Sequence, residues 1–442
     1  MNWVSVQPLN GGMSIGFEQA LGKPPTFVVS AGFPHEDHYE KFLNETCGHD
    51  VPFIMMDGTY KDFEDETNEQ LFKSLNEDID IVNYVPVCAG LSMLNTVSDE
   101  CSTCRRGDPH NSQNQNMYQT TRFILESIKP KVAVFENAPG AYTKLGEGVI
   151  NILKQIATDN GYSMTLEKTN TFLHGIPQHR QRTFIYFWKE STASYLEYEK
   201  KEPVLLSEYL EQIPSSAAHH DIYVQSKESI RDFTYEYLME EHLQENESSI
   251  REVLVRLDPD RPTVTGSRVI QTKIGFEPLI QWINKKIEAY PEEEYPIEHN
   301  RYTKALRLTL HRQYKVSIGK GYWDNSVAMH HNGTSTNAII SKNLNRLVHP
   351  TEDRAFTIRE LLHMMGLPHD YDLINPEKTW PHLAQSVPVA TSRYVGNQCK
   401  RYVLGLLLKD LNASFIKQNN ISQEIDFPKE SIYVGKTQMS MF

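Results

Sequence analysis

Four residues have types and neighbours suited to covalent chemistry on a heteroaromatic ring. Cys88 lies in Val85-Pro86-Val87-Cys88-Ala89-Gly90-Leu91-Ser92, directly after an apolar run at 79–83. A thiol at the carboxyl end of a strand, set in a turn by Pro86 and Gly90, is presented to a ligand, and free N–H groups in such a turn favour the reactive thiolate. A free cysteine more often ends as a small buried hydrophobe, so Cys88 alone assigns nothing. Glu136 follows the apolar run 131–135 and precedes Asn137, Pro139 and Gly140. A semi-buried carboxyl there should have a raised pKa, and its protonated form donates to a ring nitrogen. The plainer reading is a surface or helix-capping glutamate. Arg180 and Arg182 stand two apart in Gln178-His179-Arg180-Gln181-Arg182. An extended segment points both the same way, as a pair for a phosphate or carboxylate or as an ordinary basic strand edge. Cysteine, glutamate and paired arginines together suit nucleophilic addition to a pyrimidine. The thiolate attacks C6, an acid at N3 neutralises the developing charge, and C5 becomes able to take an electrophile.

These residues need a scaffold that gathers them. Short apolar runs at 4–6, 27–30, 53–56, 79–83, 131–135 and 183–187 read as strands, and 14–21, 38–44, 119–127 and 149–158 read as helices. Strands and helices in alternation predict an α/β domain over residues 1–194, with a mostly parallel sheet covered on both faces. Ligands then bind at the carboxyl ends of the strands, and all three candidate segments fall at strand ends of this one sheet, so they could share a crevice. Helical patterning returns at 357–365 and 392–408, while 412–442 reads as a polar tail without a clear period.

Composition narrows the function classes. The 442 residues suggest two to three domains. Five scattered cysteines argue for a reducing, cytoplasmic setting without a disulfide framework. No apolar run approaches the length of a membrane span, and the first residues lack the pattern of a signal peptide. The net charge of −13 is not that of a globally basic nucleic-acid binder. The charge is uneven, however. Residues 195–250 hold 4 Lys/Arg against 13 Asp/Glu and read as a solvated helical or linker region. Residues 301–350 hold 8 Lys/Arg against the single Asp324, interleaved with Tyr302, Tyr314, Tyr322 and Trp323. Arg307, Arg312, Lys315 and Lys320 in this stretch suit a nucleic-acid groove, or else one exposed basic face balancing the acidic one. Cys101 and Cys104 with His110 offer three donors but no fourth, so no metal site is expected. Arg105 and Arg106 beside them suit phosphate contacts.

In order along the chain, these segments resemble the DNA (cytosine-5)-methyltransferase family. Pro86-Val87-Cys88 resembles its nucleophile motif, Glu136-Asn137 its Glu-Asn-Val motif, and Gln178-x-Arg180-x-Arg182 its Gln-x-Arg-x-Arg motif. Gly11-Gly12-Met13-Ser14 resembles part of the glycine-rich cofactor turn, and Asp57-Gly58 the acidic motif that reads the adenine. The 349–368 region, then Ala384-Gln385-Ser386-Val387-Pro388, resembles the closing motifs that fold back on the cofactor site.

The resemblance implies a Rossmann-like class I methyltransferase domain, a target-recognition domain at 195–345 and a return to the catalytic domain at 346–411. It implies that Cys88, Glu136, Arg180 and Arg182 are catalytic, with Cys88 attacking C6, Glu136 at N3 and Arg180 orienting the base. S-adenosylmethionine would meet Gly11, Gly12, Met13, Ser14, Asp57, Gly58, Pro86, Gln385, Ser386 and Val387. Double-stranded DNA, with its target cytosine flipped out, would meet Ser92, Arg105, Arg106, Asn137, Gln178, Arg307, Arg312, Lys315 and Lys320. No membrane and no obligate protein partner are implied.

The departures lie on the cofactor side. Gln7 stands where the family has a phenylalanine and Leu9 where it has a glycine. The second strand ends in Ser30 rather than a ribose-binding acid, with Glu36 as a displaced substitute, and Ala384-Gln385 replaces Gly-Asn. An atypical donor, an RNA substrate and a non-catalytic DNA-binding relative are therefore the alternatives.

Overall fold

The structure is a computed structural model that describes residues 1–55, 78–86, 89–92, 107–220, 233–259, 263–300, 303–304, 328–330, 335–340, 349–352, 354, 356–422 and 432–433. The chain divides into two units, Met1–Pro203 with Leu362–Phe442, and Val204–Leu361.

In the first unit the apolar runs become strands. They are β1 (Trp3–Val6), β2 (Phe27–Ser30), β3 (Phe53–Met55), β4 (Ile81–Tyr84), β5 (Val132–Asn137), β6 (Ser163–Asn170), β7 (Gln181–Trp188) and β8 (Phe415–Asn419). They form one sheet in the order β8-β6-β7-β5-β4-β1-β2-β3. Neighbours run parallel except β7, which is antiparallel to both β5 and β6. Helices α1 (Gly12–Leu21), α2 (Glu36–Glu40), α3 (Ser112–Phe123), α4 (Glu147–Asp159) and α5 (Val389–Val403) accompany the sheet. One core packs Met117, Phe123, Val149 and Leu153 of α3 and α4 against Val4, Val82, Ala133 and Phe187. The other packs Met13 and Phe17 of α1 with Tyr394, Val395 and Cys399 of α5 against Trp3, Ile81, Val134 and Tyr186. Burial on both faces explains why the strands read as continuous apolar runs. This is the expected Rossmann-like methyltransferase architecture.

Two strands escaped the sequence reading. β6 alternates Thr165, Glu167 and Thr169 with Met164, Leu166 and Lys168, but its polar side is buried. Glu167 accepts hydrogen bonds from Tyr186 Oη (2.9 Å) and Tyr394 Oη (2.7 Å), and burial raises its pKa to about 7. β8 arises within the span read as a polar tail, pairing in parallel with β6 from Phe415↔Met164 to Asn419↔Lys168. Two helix readings also shift. The pattern at 38–44 begins at Glu36 and continues as a wider turn over Lys41–Thr46. The pattern at 119–127 begins at Ser112 and ends in a second wide turn over Ile124–Ile128.

The second unit has its own core, with Tyr237, Leu238, Val253, Leu254, Trp282 and Ile283 from helices Phe233–His242, Ile250–Leu257 and Phe276–Glu288. Ser249 and Glu252 cap the middle helix reciprocally. Apolar residues at 250, 253, 254 and 257 then line one helical face. Part of the acidic stretch is thus a packed helical layer. Among the described residues no helix is long and apolar enough to cross a membrane.

Candidate active site

Strand pairing builds the base-side group. Asn137, the last residue of β5, pairs with Thr183 of antiparallel β7. The start of β7 therefore lies beside the end of β5, and Arg182 comes next to Glu136. Arg182 Nε stands 2.5 Å from Glu136 Oε1, with the two side chains only 18% and 6% exposed. On the other side of β5, Phe135 pairs with Tyr84 of parallel β4. The chain leaving β4 through Val85 and Pro86 therefore emerges next to Glu136. It re-enters the described residues as a tight turn at Ala89–Leu91. Asn114 of α3 closes on Gly90, where a Cβ would lie 2.4 Å from its Oδ1. Cys88 lies outside the described residues, as do Asp57, Gly58, Arg105, Arg106, Arg307, Arg312, Lys315 and Lys320, and Cys101 and Cys104. Pro86 and Ala89, the described residues on either side of Cys88, lie at the sheet end that carries Glu136 and Arg182. Ser92, one step beyond the turn, is half-buried.

Several expected contacts are differently employed. Arg180 and Arg182 do not form one anion clamp. Arg180 sits between the short strand Gln178–His179 and β7, so the extended alternation that would align the pair is interrupted. Its guanidinium is 1% exposed and donates from Nη2 to the carbonyls of Ala384 (2.7 Å) and Ser386 (3.1 Å). That use corrects the expectation that Arg180 orients the base. Gln178 and Asn137, expected to touch DNA, are fully buried. Gln178 Nε2 donates to Met364 O at 2.9 Å, and Asn137 Oδ1 accepts from the Ala138 amide at 2.8 Å. Both brace turns. Met13 and Ser14, expected at the cofactor, also turn inward. Met13 joins the core, and Ser14 Oγ lies 2.6 Å from Ser5 Oγ, which donates to Asn83.

The donor-side turn keeps a glycine-type backbone despite its side chains. Gln7 and Leu9 both have φ of 53° and Gly11 has 70°. A left-handed non-glycine residue costs about 1–2 kcal/mol, so packing around the turn must hold it there. Gly12 opens α1 beneath the 384–388 segment, where a Cβ would lie 2.2 Å from Val387 O and 2.4 Å from Ser386 Oγ. Ser386 and Val387 are buried there, while Gln385 faces outward. Asn10 Nδ2 donates to His382 O at 2.8 Å, and Tyr371 Oη donates to Asn10 O at 2.9 Å.

Glu36, the displaced acid, turns its carboxyl back onto the end of β2. Its Oε2 accepts from Ser30 Oγ (2.6 Å), the Ala31 amide (2.9 Å) and the Phe33 amide (3.2 Å). Burial raises its pKa, opposed by Ser30 and by the amides of Phe33, Ala31 and Leu9. The sequence reading missed the histidines beside it. His35 and His38 have pKa values lowered to about 4, mainly by burial, so both are neutral at pH 7. The His35 ring meets that of His382 edge-on at 5.0 Å. His38 Nδ1 accepts from the Ile374 amide at 3.1 Å, which leaves the proton on Nε2. The available signal was the run of four polar residues His35-Glu36-Asp37-His38 in the segment that follows β2.

Among the described residues, Glu36 Oε1, Asn10 Oδ1, Ser386 Oγ, His38 Nε2 and both His35 ring nitrogens are buried without a hydrogen-bond partner. Buried polar atoms are rarely left so, and a ligand bearing hydroxyl and amino groups would satisfy them. A nucleoside-containing cofactor fits this lining. Among the described residues no group of three or more His, Cys, Asp or Glu is arranged to hold a metal ion.

A doubly covered α/β sheet with an acid and an arginine at its strand ends, beside a glycine turn, has the form of a class I methyltransferase. The sequence model of the C-5 cytosine-specific DNA methylase family matches residues 10–401, and the chain belongs to that family. Its members are methyltransferases that use S-adenosylmethionine and act on DNA. The chain is 22% identical over 356 residues to the type II methyltransferase M.Bpa9945I of Bacillus paralicheniformis, covering 74% of this chain and 71% of the relative. It is 26% identical over 86 residues to the orphan methyltransferase M.SPBetaI of Bacillus phage SPbeta, covering 20% of this chain and 19% of the relative. Among solved structures, it resembles one described as a DNA modification methyltransferase encoded within an E. coli prophage. The TM-score is 0.54 at 16% identity, over 91% of this chain and 99% of that one, a likeness of fold.

Proposed function

We propose that the protein methylates C5 of a flipped cytosine in double-stranded DNA through a covalent adduct between Cys88 and C6. The observation that carries this reading is the buried Glu136–Arg182 pair at the sheet end from which the Pro86–Ala89 link emerges. S-adenosylmethionine supplies an electrophilic methyl group. The Cys88 thiolate bonds to C6, and the displaced ring electrons make C5 nucleophilic. Glu136 meets N3 and the exocyclic amine, held in place by Arg182, whose Nη2 would meet the ring carbonyl while Nε holds Glu136 and Nη1 donates to Gln181 O. Once C5 carries the methyl group, a base takes the C5 proton. The C5–C6 double bond re-forms and the C6–S bond breaks, returning the thiolate.

On the donor side, Glu36 Oε1 would accept from the ribose hydroxyls, and Asn10, His38 and Ser386 would meet its other polar groups. The retained left-handed turn at Gln7 and Leu9 supports the family's ordinary donor, since backbone groups do most of the holding there. Residues 195–345 would read the DNA, with Arg307, Arg312, Lys315 and Lys320 on phosphates, and Arg105 and Arg106 closing over the target.

The test uses duplex DNA carrying 5-fluorocytosine, incubated with S-adenosylmethionine and run under denaturing conditions. The wild type should form a covalent complex and Cys88→Ala none. Trapping by Cys88→Ala would remove Cys88 from the mechanism.

A further inference from the structure

We infer that Arg180 is a positioning residue that fixes the 384–387 segment on the glycine turn, and so ties donor binding to the strand that carries the base-side arginine. This inference rests on the function proposed above. The segment closes a short helical turn, Trp380–Gln385, whose final carbonyls have no partner within the turn. Arg180 Nη2 bonds one of them, Ala384 O, and the carbonyl just beyond the turn, Ser386 O, from a fully buried position. Charge-assisted bonds to both carbonyls fix the angle at which the segment leaves the turn.

That angle matters because of what lies beneath. With 2.2 Å between Val387 O and the place of a Gly12 Cβ, the segment rests on the backbone of α1 itself. A small tilt would lift Ser386 and Val387 from the turn and uncover the polar lining around Asn10 and Glu36. Arg182, two residues further on, holds Glu136. One short stretch of chain therefore braces the carboxylate that would meet the base and the cover that would meet the donor. A loss of register there disturbs both sites, and each arginine has a separable effect.

Arg180→Gln and Arg180→Lys test this in the full chain. Three quantities are compared with wild type: affinity for S-adenosylmethionine by calorimetry, affinity for duplex DNA, and amide exchange at 382–390 without ligand. Arg180→Gln should weaken donor binding about tenfold or more, leave DNA affinity within about twofold, and speed exchange at 382–390 but not in β6. Arg180→Lys, whose shorter side chain sets its ammonium back from the two carbonyls that Nη2 reaches, should fall between. Unchanged donor affinity and exchange in Arg180→Gln would overturn the inference. So would an unfolded Arg180→Gln beside an Arg180→Lys that matches wild type in all three. A wild type that binds no S-adenosylmethionine would strike the proposed function instead, and the ligand-free exchange would still decide the role of Arg180.

Discussion

Removing Arg182 tests whether the base-side group is built in advance. Its guanidinium and the Glu136 carboxylate meet at 2.5 Å with little solvent access. An exposed ion pair contributes about 0–1 kcal/mol, whereas removing one partner of a buried pair costs about 3–5 kcal/mol, because the other charge stays desolvated. With Arg182 18% exposed, the lower end applies, so Arg182→Gln should cost about 3 kcal/mol of folding stability. Glu136→Gln should recover much of that in the double variant, since no buried carboxylate then remains. Urea unfolding of wild type, both single variants and the double variant closes the cycle, with an expected coupling of about 2 kcal/mol. A coupling below about 0.5 kcal/mol would place the pair with ordinary surface pairs and refute the idea of a fixed carboxylate.

Glu36→Ala should weaken S-adenosylmethionine binding about tenfold by calorimetry, with Glu36→Gln less affected because it keeps an acceptor; equal affinities would remove Glu36 from the donor site. Glu167 has a folded pKa of about 7 against an ordinary 4.5, so its stabilising contribution is full below pH 4.5 and lost as pH rises through 7. Glu167→Gln should therefore gain on wild type with rising pH, by up to about 3 kcal/mol at pH 8 in urea unfolding, and a constant difference would contradict the shift. Lys129, exposed at φ of 53°, ends the wide turn after α3, and Lys129→Gly should stabilise by about 1 kcal/mol, again read by urea unfolding.

The sheet was legible because its strands are short apolar runs closed by turn residues, as at 27–30 and 132–135. Such runs are the signature of strands covered on both faces. β6 was not legible because its polar residues point inward and are satisfied there. Thr165 Oγ1 donates to Ser194 O, and Glu167 meets two tyrosine hydroxyls. No local pattern announces partners that arrive from distant strands and from α5. β8 was hidden for a related reason: Lys417 and Asn419 give its five residues a polar look at the sheet edge. In the site, Glu136 and Arg182 come together as their positions at strand ends suggested. Arg180 and Gln178 turn instead to backbone carbonyls, those of 364, 384 and 386, which lie some two hundred residues away in sequence. Spacing alone could not separate the two arginines. The polar lining at His35, Glu36 and His38 was visible only as a displaced acid, since burial is what makes those side chains a site.

The central claim is tested most directly by incubating the protein with duplex DNA and methyl-labelled S-adenosylmethionine, then digesting to nucleosides for mass spectrometry. The account predicts label in 5-methylcytosine for wild type and none for Cys88→Ala. Absence of labelled 5-methylcytosine, with donor and duplex both bound, would contradict it.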